Sequence, residues 1–340
     1  MASAEAVFSH VAAMERERQI LQILADGAFH SGETLAAQLG GLSRAAIWKI
    51  MRTLEERGII IYAVRGRGYR LAEPIEFLDS LHIEAELDAD ARHHLHLLEV
   101  HQDIDSTNTY LMKRAADGLA SGTVCIAEAQ SGGRGRRGRA WVSPYAANLY
   151  LSLLWRFMSG PALLSGLSLA IGVAVARALH TLGMTEVGLK WPNDLLWNWR
   201  KLGGILLEFG GESSGPCHVV AGVGVNVAMP EYARESIDQP WTDLRSILGP
   251  NGISRNRLAA RVVSEMLKAC AHFEQQGFAA PPEWQQLDVT LGQPITLQLP
   301  NNTSIAGISR GIDNSGALLL ETAMGIQRFL GGEISLRRTE

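Results

Sequence analysis

The sequence predicts an α+β protein built in three parts, and three observations carry that prediction. The first seventy or so residues hold capped helical patterns followed by a basic hairpin. Residues 75–288 mix helical and strand patterns, with short apolar strands among them. Residues 289–340 alternate over short strands broken by turns, the pattern of a small β-barrel of SH3-like size. The expected domains are therefore 1–74, 75–288 and 289–340.

Composition narrows the class. A chain of 340 residues is long enough for a sizeable core, and a net charge of −4 excludes a protein coated in basic surface. Any contact with DNA must come from a local patch. Cys125, Cys217 and Cys270 are an odd number, far apart and without a C-x-x-C pair, which fits a reducing cytoplasm and no zinc site. Glu5, Glu15 and Glu17 near the start leave no secretory h-region. The apolar run from Ala162 to Ala176 falls short of the roughly 18–20 residues that span a bilayer, so it reads as a buried core helix. No membrane association is expected.

In the first part, Ile20, Leu21, Ile23 and Leu24 form an apolar helical face ending at Asp26-Gly27. Ser31 can cap a short helix carrying Leu35 and Leu39, broken by Gly40-Gly41. Ser43 caps a third helix whose inward face is Ile47, Ile50, Met51 and Leu54, while Arg44, Trp48, Lys49 and Arg52 lie opposite. Gly58 ends it, 59–64 reads as a strand, and Arg65-Gly66-Arg67-Gly68-Tyr69 makes a basic turn into Arg70-Leu71. Three helices and a basic hairpin make a winged helix-turn-helix, with the third helix as the major-groove reader and Ser43, Arg44, Trp48, Lys49, Arg52, Arg65 and Arg67 as the candidate DNA contacts. A small helical domain with a merely solvated basic face has the same pattern. Glu73-Pro74 marks the linker.

The centre of the chain is Gly132–Trp141, ten residues holding four glycines and four arginines. Glycine lets backbone N–H groups turn inward as an anion nest, and arginine adds a donor fork for phosphate or carboxylate. Such a loop should be mobile when empty and ordered by an anion. It lacks the Lys-Ser/Thr ending of a P-loop. An RG-rich nucleic-acid patch or a solvated basic loop has the same composition.

Around it, 100–104 reads as a strand before Asp105-Ser106-Thr107-Asn108, a helix cap whose polar groups could equally bind a polar ligand head. Strands are expected at 124–127, 148–155 and 187–191. The last stops at Pro192, which leaves Lys190 near its end, either as a surface residue or facing an anion site. Strands KLGGILLE (201–208) and VAGVGVN (220–226) carry interior glycines, which often mark close approach of a ligand or another backbone. His93, His94, His96 and His101, placed in one helix, fit no metal-ligand spacing, and no metal site is predicted. The eight tryptophans suit core and pocket lining. In the tail, turns at 300–302 and 313–316 and a Gly-Gly pair at 331–332 separate the strands.

Read in order, DIDSTN (103–108), CIAEAQSGGRGRRGRAW (125–141), NLYLSLLW, KWPNDLLW (190–197), KLGGILLE, GVGVN, GISRGIDNSGALLLE and GGEISLR resemble the bifunctional biotin–protein ligase/biotin operon repressor family. The resemblance runs from about Gly32 to Arg338, and the arginine loop combined with KWPND is its most specific part. It implies a class II synthetase-like central domain and an ATP-dependent, AMP-forming ligase. That ligase makes biotinyl-5′-AMP and passes biotin to a lysine of the biotin carboxyl carrier protein of acetyl-CoA carboxylase. The resemblance also implies Mg²⁺ with ATP, and an adenylate-bound homodimer that represses the biotin operon by binding its operator DNA.

By the same resemblance, Lys190 and Arg136 are catalytic. Ser106, Thr107, Asn108, Gln130, Arg134, Gly135, Arg136 and Lys190 touch biotin. Gly133, Arg134, Gly135, Arg136, Arg137, Gly138, Arg139 and Trp141 cover the adenylate, and Gly204, Gly222, Gly224 and Asn226 floor the pocket. The competing classes are a ligand-sensing regulator without ligase activity, and a ligase whose winged helix no longer binds DNA.

Overall fold

A computed structural model describes residues 4–212, 215–249, 252–278, 282–299, 303–331 and 335–338. The expected turn at 300–302 and part of the Gly-Gly segment lie outside those residues. The chain forms two compact units, Met1–Leu78 with Pro144–Ala146, and Asp79–Ser143 with Ala147–Glu340.

The first unit has helices α1 (Ala4–Leu24), α2 (Gly32–Gln38) and α3 (Arg44–Glu56) and a hairpin of β1 (Ile61–Val64) and β2 (Gly68–Leu71). Ser31 and Ser43 cap α2 and α3 by accepting from the N–H of Thr34 and Ala46, each three residues on. Ile20, Leu21, Leu24, Leu35, Ile47, Met51 and Leu54 meet in one core, and Ile23 and Ile50 pack against its edge. The wing strand starts at Ile61, two residues later than its apolar run suggests, because pairing with the return strand begins at Ile61 opposite Leu71. His30 exchanges N–H···O bonds of 2.9 and 2.8 Å with Tyr69. Gly68, with φ of +100°, is required at this join, since a Cβ there would lie 2.0 Å from the His30 carbonyl oxygen.

The second unit opens with α4 (Ser80–Ala85), α5 (Ala89–His94), β3 (Leu97–His101), α6 (Thr107–Ala116), β4 (Thr123–Ala127) and β5 (Leu149–Phe157). It continues through α7 (Leu167–Thr181), β6 (Gly188–Lys190), β7 (Asp194–Trp197), β8 (Arg200–Gly211), β9 (Cys217–Val225), α8 (Leu244–Leu248), α9 (Arg255–Gln276) and α10 (Pro282–Leu287). Strands β3 to β9 form one sheet in the order β3-β4-β5-β9-β8-β7-β6, parallel only between β3 and β4. Side chains alternate along β5: Leu154 packs with Leu111 and Ala115 of α6, while Phe157 meets Phe273 of α9 on the other face. Helix α6 thus packs on one face of the sheet and α9 on the other.

Two expectations shift here. The first strand of the sheet is Leu97–His101, three residues earlier than 100–104, because pairing Leu97 with Thr123 sets its register at an edge. The four histidines do not share a helix: His93 and His94 end α5, His96 follows it, and His101 ends β3. Among the described residues no group of three His, Cys, Asp or Glu side chains could hold a metal ion. The apolar run becomes a 3-10 turn at Pro161–Leu164 and then α7. Pro161–Thr181 is long and apolar enough by composition to cross a membrane, but ten of the fifteen residues of α7 are buried in the fold, which makes it a core helix.

The last strands, β10 (Pro294–Gln298), β11 (Ser304–Ile312), β12 (Leu318–Thr322), β13 (Gly325–Phe329) and β14 (Ser335–Arg338), form an antiparallel sheet in the order β13-β12-β11-β10-β14. Ile295, Leu297, Leu318 and Leu320 are its buried core.

Candidate active site

Ser106 caps α6, accepting from Thr109 N–H, so the cap reading of the DSTN segment holds. The same segment is also a polar wall. Ser106, Thr107 and Asn108 are buried. Gln130 Oε1 accepts from the Thr107 N–H at 2.9 Å and its Nε2 donates to Ser143 Oγ at 3.2 Å. Ser152 Oγ of β5 sits 2.7 Å from Thr107 Oγ1 and 2.6 Å from Asn108 Oδ1. Asn108 Nδ2 donates to Glu208 Oε2 of β8 at 2.8 Å. Gly222 makes room for this amide, because a Cβ there would stand 2.2 Å from Asn108 Oδ1. A buried wall of neutral donors and acceptors suits a neutral polar head group.

The arginine loop leaves β4 and folds on itself. Gly135 N–H donates to Arg139 O at 2.8 Å and Trp141 N–H to Gly133 O at 2.9 Å, around a 3-10 turn at Arg136–Gly138. The amides of Gly135 and Trp141 are therefore used within the loop. Arg134 donates to Thr109 Oγ1 at 2.8 Å and pairs with Glu208 at 3.2 Å. Arg136 Nη1 donates to Asn193 Oδ1 at 3.1 Å. Burial lowers the Arg136 pKa from its ordinary value, and Asp194 opposes that shift. Arg137 and Arg139 are exposed at the mouth. Trp141 lies flat on the sheet over Gly224, where a Cβ would come within 2.5 Å of the indole.

Lys190 and Asp194 face each other across the turn between β6 and β7, Nζ to Oδ2 at 2.7 Å. Lys201 of β8 reaches the other carboxylate oxygen, also at 2.7 Å. Burial would raise the Asp194 pKa, but Lys201 and Lys190 more than offset it and hold the carboxyl at about 2. Lys201 Nζ is also 5.6 Å from the Trp141 ring centroid. Two cations, Lys190 and Lys201, thus share one carboxylate, and a third, Arg136, is held by the neighbouring Asn193. Trp191 of the same turn is buried and donates from Nε1 to the Gly316 carbonyl at 3.1 Å, so the last sheet braces the KWPND turn.

These groups line one cavity of about 680 Å³. It brings together Ser106, Thr107, Asn108, Gln130, Arg134, Gly135, Arg136, Arg137, Arg139, Trp141, Lys190, Gly204, Gly222, Gly224 and Asn226, and the segment 236–241 forms a further wall. Gly133 and Gly138 belong to the loop without lining the cavity. Asn226 plays a structural part: its amide donates to Thr242 O at 3.0 Å and Lys201 O at 3.4 Å, tying down the strand that carries Lys201.

The sequence reading missed Asn193, Asp194, Lys201, Glu208 and Ser152. All five stood inside quoted motifs, Asp194 and Lys201 among them. Their partnership depends on a register shift between β7 and β8 at Leu195/Leu196, which turns Lys201 to the same face as Gly204.

In the first unit, α3 exposes Arg44, Trp48, Lys49 and Arg52, and the wing turn exposes Arg65 and Arg67. Ser43 is occupied as the cap of α3. Arg44 pairs with Glu33, and Arg52 pairs with Glu55 at 3.3 Å. Arg67 stacks over Phe29 with 4.2 Å to the ring centroid.

A helix-turn-helix unit together with a mixed sheet that gathers cations at a deep cavity defines the class: a ligase fold bearing a DNA-binding type of domain. Three family models agree, an HTH domain at residues 16–70, the biotin/lipoate A/B protein ligase family at 100–226 and the biotin protein ligase C terminal domain at 290–337. The chain is 45% identical over 324 residues to the bifunctional ligase/repressor BirA of Salmonella typhimurium, covering 94% of this chain and 97% of that one. With BirA of Bacillus subtilis it shares 30% over 310 residues, 91% of this chain and 94% of that one. The solved biotin protein ligase from Aquifex aeolicus in complex with biotin and ATP matches with a TM-score of 0.61 and 29% identity, over 71% of this chain and 99% of that one. The chain belongs to the bifunctional ligase/repressor branch of the biotin protein ligase family.

Proposed function

We propose that the cavity activates biotin with ATP and hands it to a lysine of a biotin carboxyl carrier protein. The observation that carries this reading is the gathering of Arg136, Lys190 and Lys201 around the Asn193-Asp194 turn, next to a neutral polar wall. Biotin matches both halves, with a neutral ureido head for Thr107, Asn108 and Gln130 and a carboxylate for the cations. A carboxylate oxygen attacks the α-phosphorus of ATP, forming the acyl–phosphate C–O–P link as the bond to the β-phosphate oxygen breaks and pyrophosphate leaves. Both reactants are anions, so the cations neutralise their approach and the charge that grows on the phosphorus. Asp194 stays ionised throughout and fixes where the two ammonium groups stand.

The carrier lysine then attacks the acyl carbon as a free amine, AMP departs with the C–O electron pair, and the amine's second proton goes to solvent. Arg134, held by Glu208 and Thr109, keeps the flap closed over the anhydride and limits its loss to water. Mg²⁺ enters as part of the nucleotide substrate. The chain's own part is to bind the phosphates through the cations that line the cavity.

The helix-turn-helix unit binds operator DNA of the biotin genes through α3 and the wing, as a homodimer that the adenylate stabilises. A ligand that orders interface segments favours the dimer by linkage. Three free, buried cysteines support a cytoplasmic protein. The test is exchange of labelled pyrophosphate into ATP. Exchange that requires biotin and ignores lipoate or octanoate supports the ligase. Tight biotin binding without exchange leaves the ligand-sensing regulator.

A further inference from the structure

The exposed stripe of α3 runs Arg44, Trp48, Arg52 at i, i+4, i+8, with Lys49 beside it, opposite the face buried by Ile47, Met51 and Leu54. Trp48 is 59% exposed and takes no part in the core of its unit. Its flanking arginines are each paired with a carboxylate, Arg44 with Glu33 and Arg52 with Glu55, and the Arg52 guanidinium stands 5.9 Å over the Trp48 ring centroid. The centre of a cationic face is therefore an apolar indole, steadied on one side by a cation. That arrangement is complementary to a polyanion that offers an apolar group between its phosphates. The major groove of DNA has one such group, the 5-methyl of thymine.

We infer that Trp48 reads thymine methyl groups in the major groove, so that this chain selects T·A pairs at the centre of each half-site by apolar contact. The inference rests on the DNA-binding reading above and names what that face discriminates. Arg44, Lys49 and Arg52 supply phosphate attraction that is indifferent to sequence, and the indole supplies the choice.

The experiment uses the full chain with biotin, ATP and Mg²⁺. Duplexes are selected from a randomised library, and each thymine of the winning site is then replaced by deoxyuridine, which keeps the O4 acceptor and removes only the methyl. At one or more thymines per half-site the swap weakens binding about fourfold, the factor expected for one methyl-sized group leaving contact. Trp48→Gln binds thymine and uracil duplexes equally, at about the level of the wild type on uracil, and keeps a steep salt dependence because its phosphate contacts remain. Its thermal midpoint, expected to match the wild type for so exposed a side chain, checks folding.

Selected duplexes bound equally with thymine or uracil overturn the inference and leave the DNA reading standing. So does a Trp48→Gln protein that keeps the thymine preference. Failure to select any duplex sinks both.

Discussion

Replacing Asp194 by Asn tests the design of the cation cluster. The substitution preserves shape and removes the one negative charge that holds Lys190 and Lys201, each at 2.7 Å. A carboxyl held at about 2 against its ordinary value of 3.8, despite burial that pushes the other way, corresponds to about 2 kcal/mol of net pairing. If that pairing positions the lysines in the transition state, its loss lowers kcat/KM for biotin-dependent pyrophosphate exchange about thirtyfold. The same pairing stabilises the fold. Because the folded pKa is depressed, its contribution is fully present above pH 3.8 and disappears as pH falls towards 2. Urea unfolding should therefore show the variant about 2 kcal/mol weaker at pH 7, with the gap closing below pH 3.8. Exchange within threefold of the wild type would refute the positioning role, and a stability gap unchanged at pH 2 would refute its electrostatic origin.

Gly224→Ala drives a methyl into the Trp141 indole and should raise the KM for biotin or ATP at least tenfold while leaving α-helix content intact by circular dichroism. Arg136→Ala removes a cation from the growing charge and should cost about a hundredfold to a thousandfold in the adenylation rate, read by single-turnover kinetics. Trp191→Phe loses the 3.1 Å bond to Gly316 and should cost about 1 kcal/mol in urea unfolding, with a modest fall in exchange because the KWPND turn loosens. Glu128→Gln removes the charge paired with the buried Arg255 at 2.8 Å and should destabilise by about 3–5 kcal/mol. The Glu128→Met/Arg255→Met double variant should recover much of that, measured as thermal midpoints.

Local chemistry was legible in the sequence. Ser43 caps α3 and Ser106 caps α6 because a hydroxyl before a helical run needs only the N–H three residues on. The amphipathic faces of α1 and α3 were readable because period 3.6 encodes them. The glycines at 222 and 224 flagged close approach, and the structure names what approaches, Asn108 and Trp141.

Long-range facts were not legible. Lys201 joins the site through a one-residue register shift that no alternation pattern shows. Glu208 links Asn108 to Arg134 across 100 and 74 positions. Trp191 donates its indole N–H to a carbonyl 125 residues on. Such partners are set by the order of strands in the sheet, which propensity does not specify. The edge strand β3 was misplaced for a related reason, since Glu99 and His101 dilute its apolar signal and only pairing with β4 sets its ends.

The central claim is that this cation cluster lets two anions join as a mixed anhydride. The most direct measurement mixes the full chain with stoichiometric biotin and Mg-ATP, quenches in acid and identifies the product by mass spectrometry. One equivalent of biotinyl-5′-AMP per chain is the expected result, with none from lipoate, and with its loss when carrier protein is added as one biotin appears on a lysine. Bound biotin with intact ATP and no adenylate would contradict it.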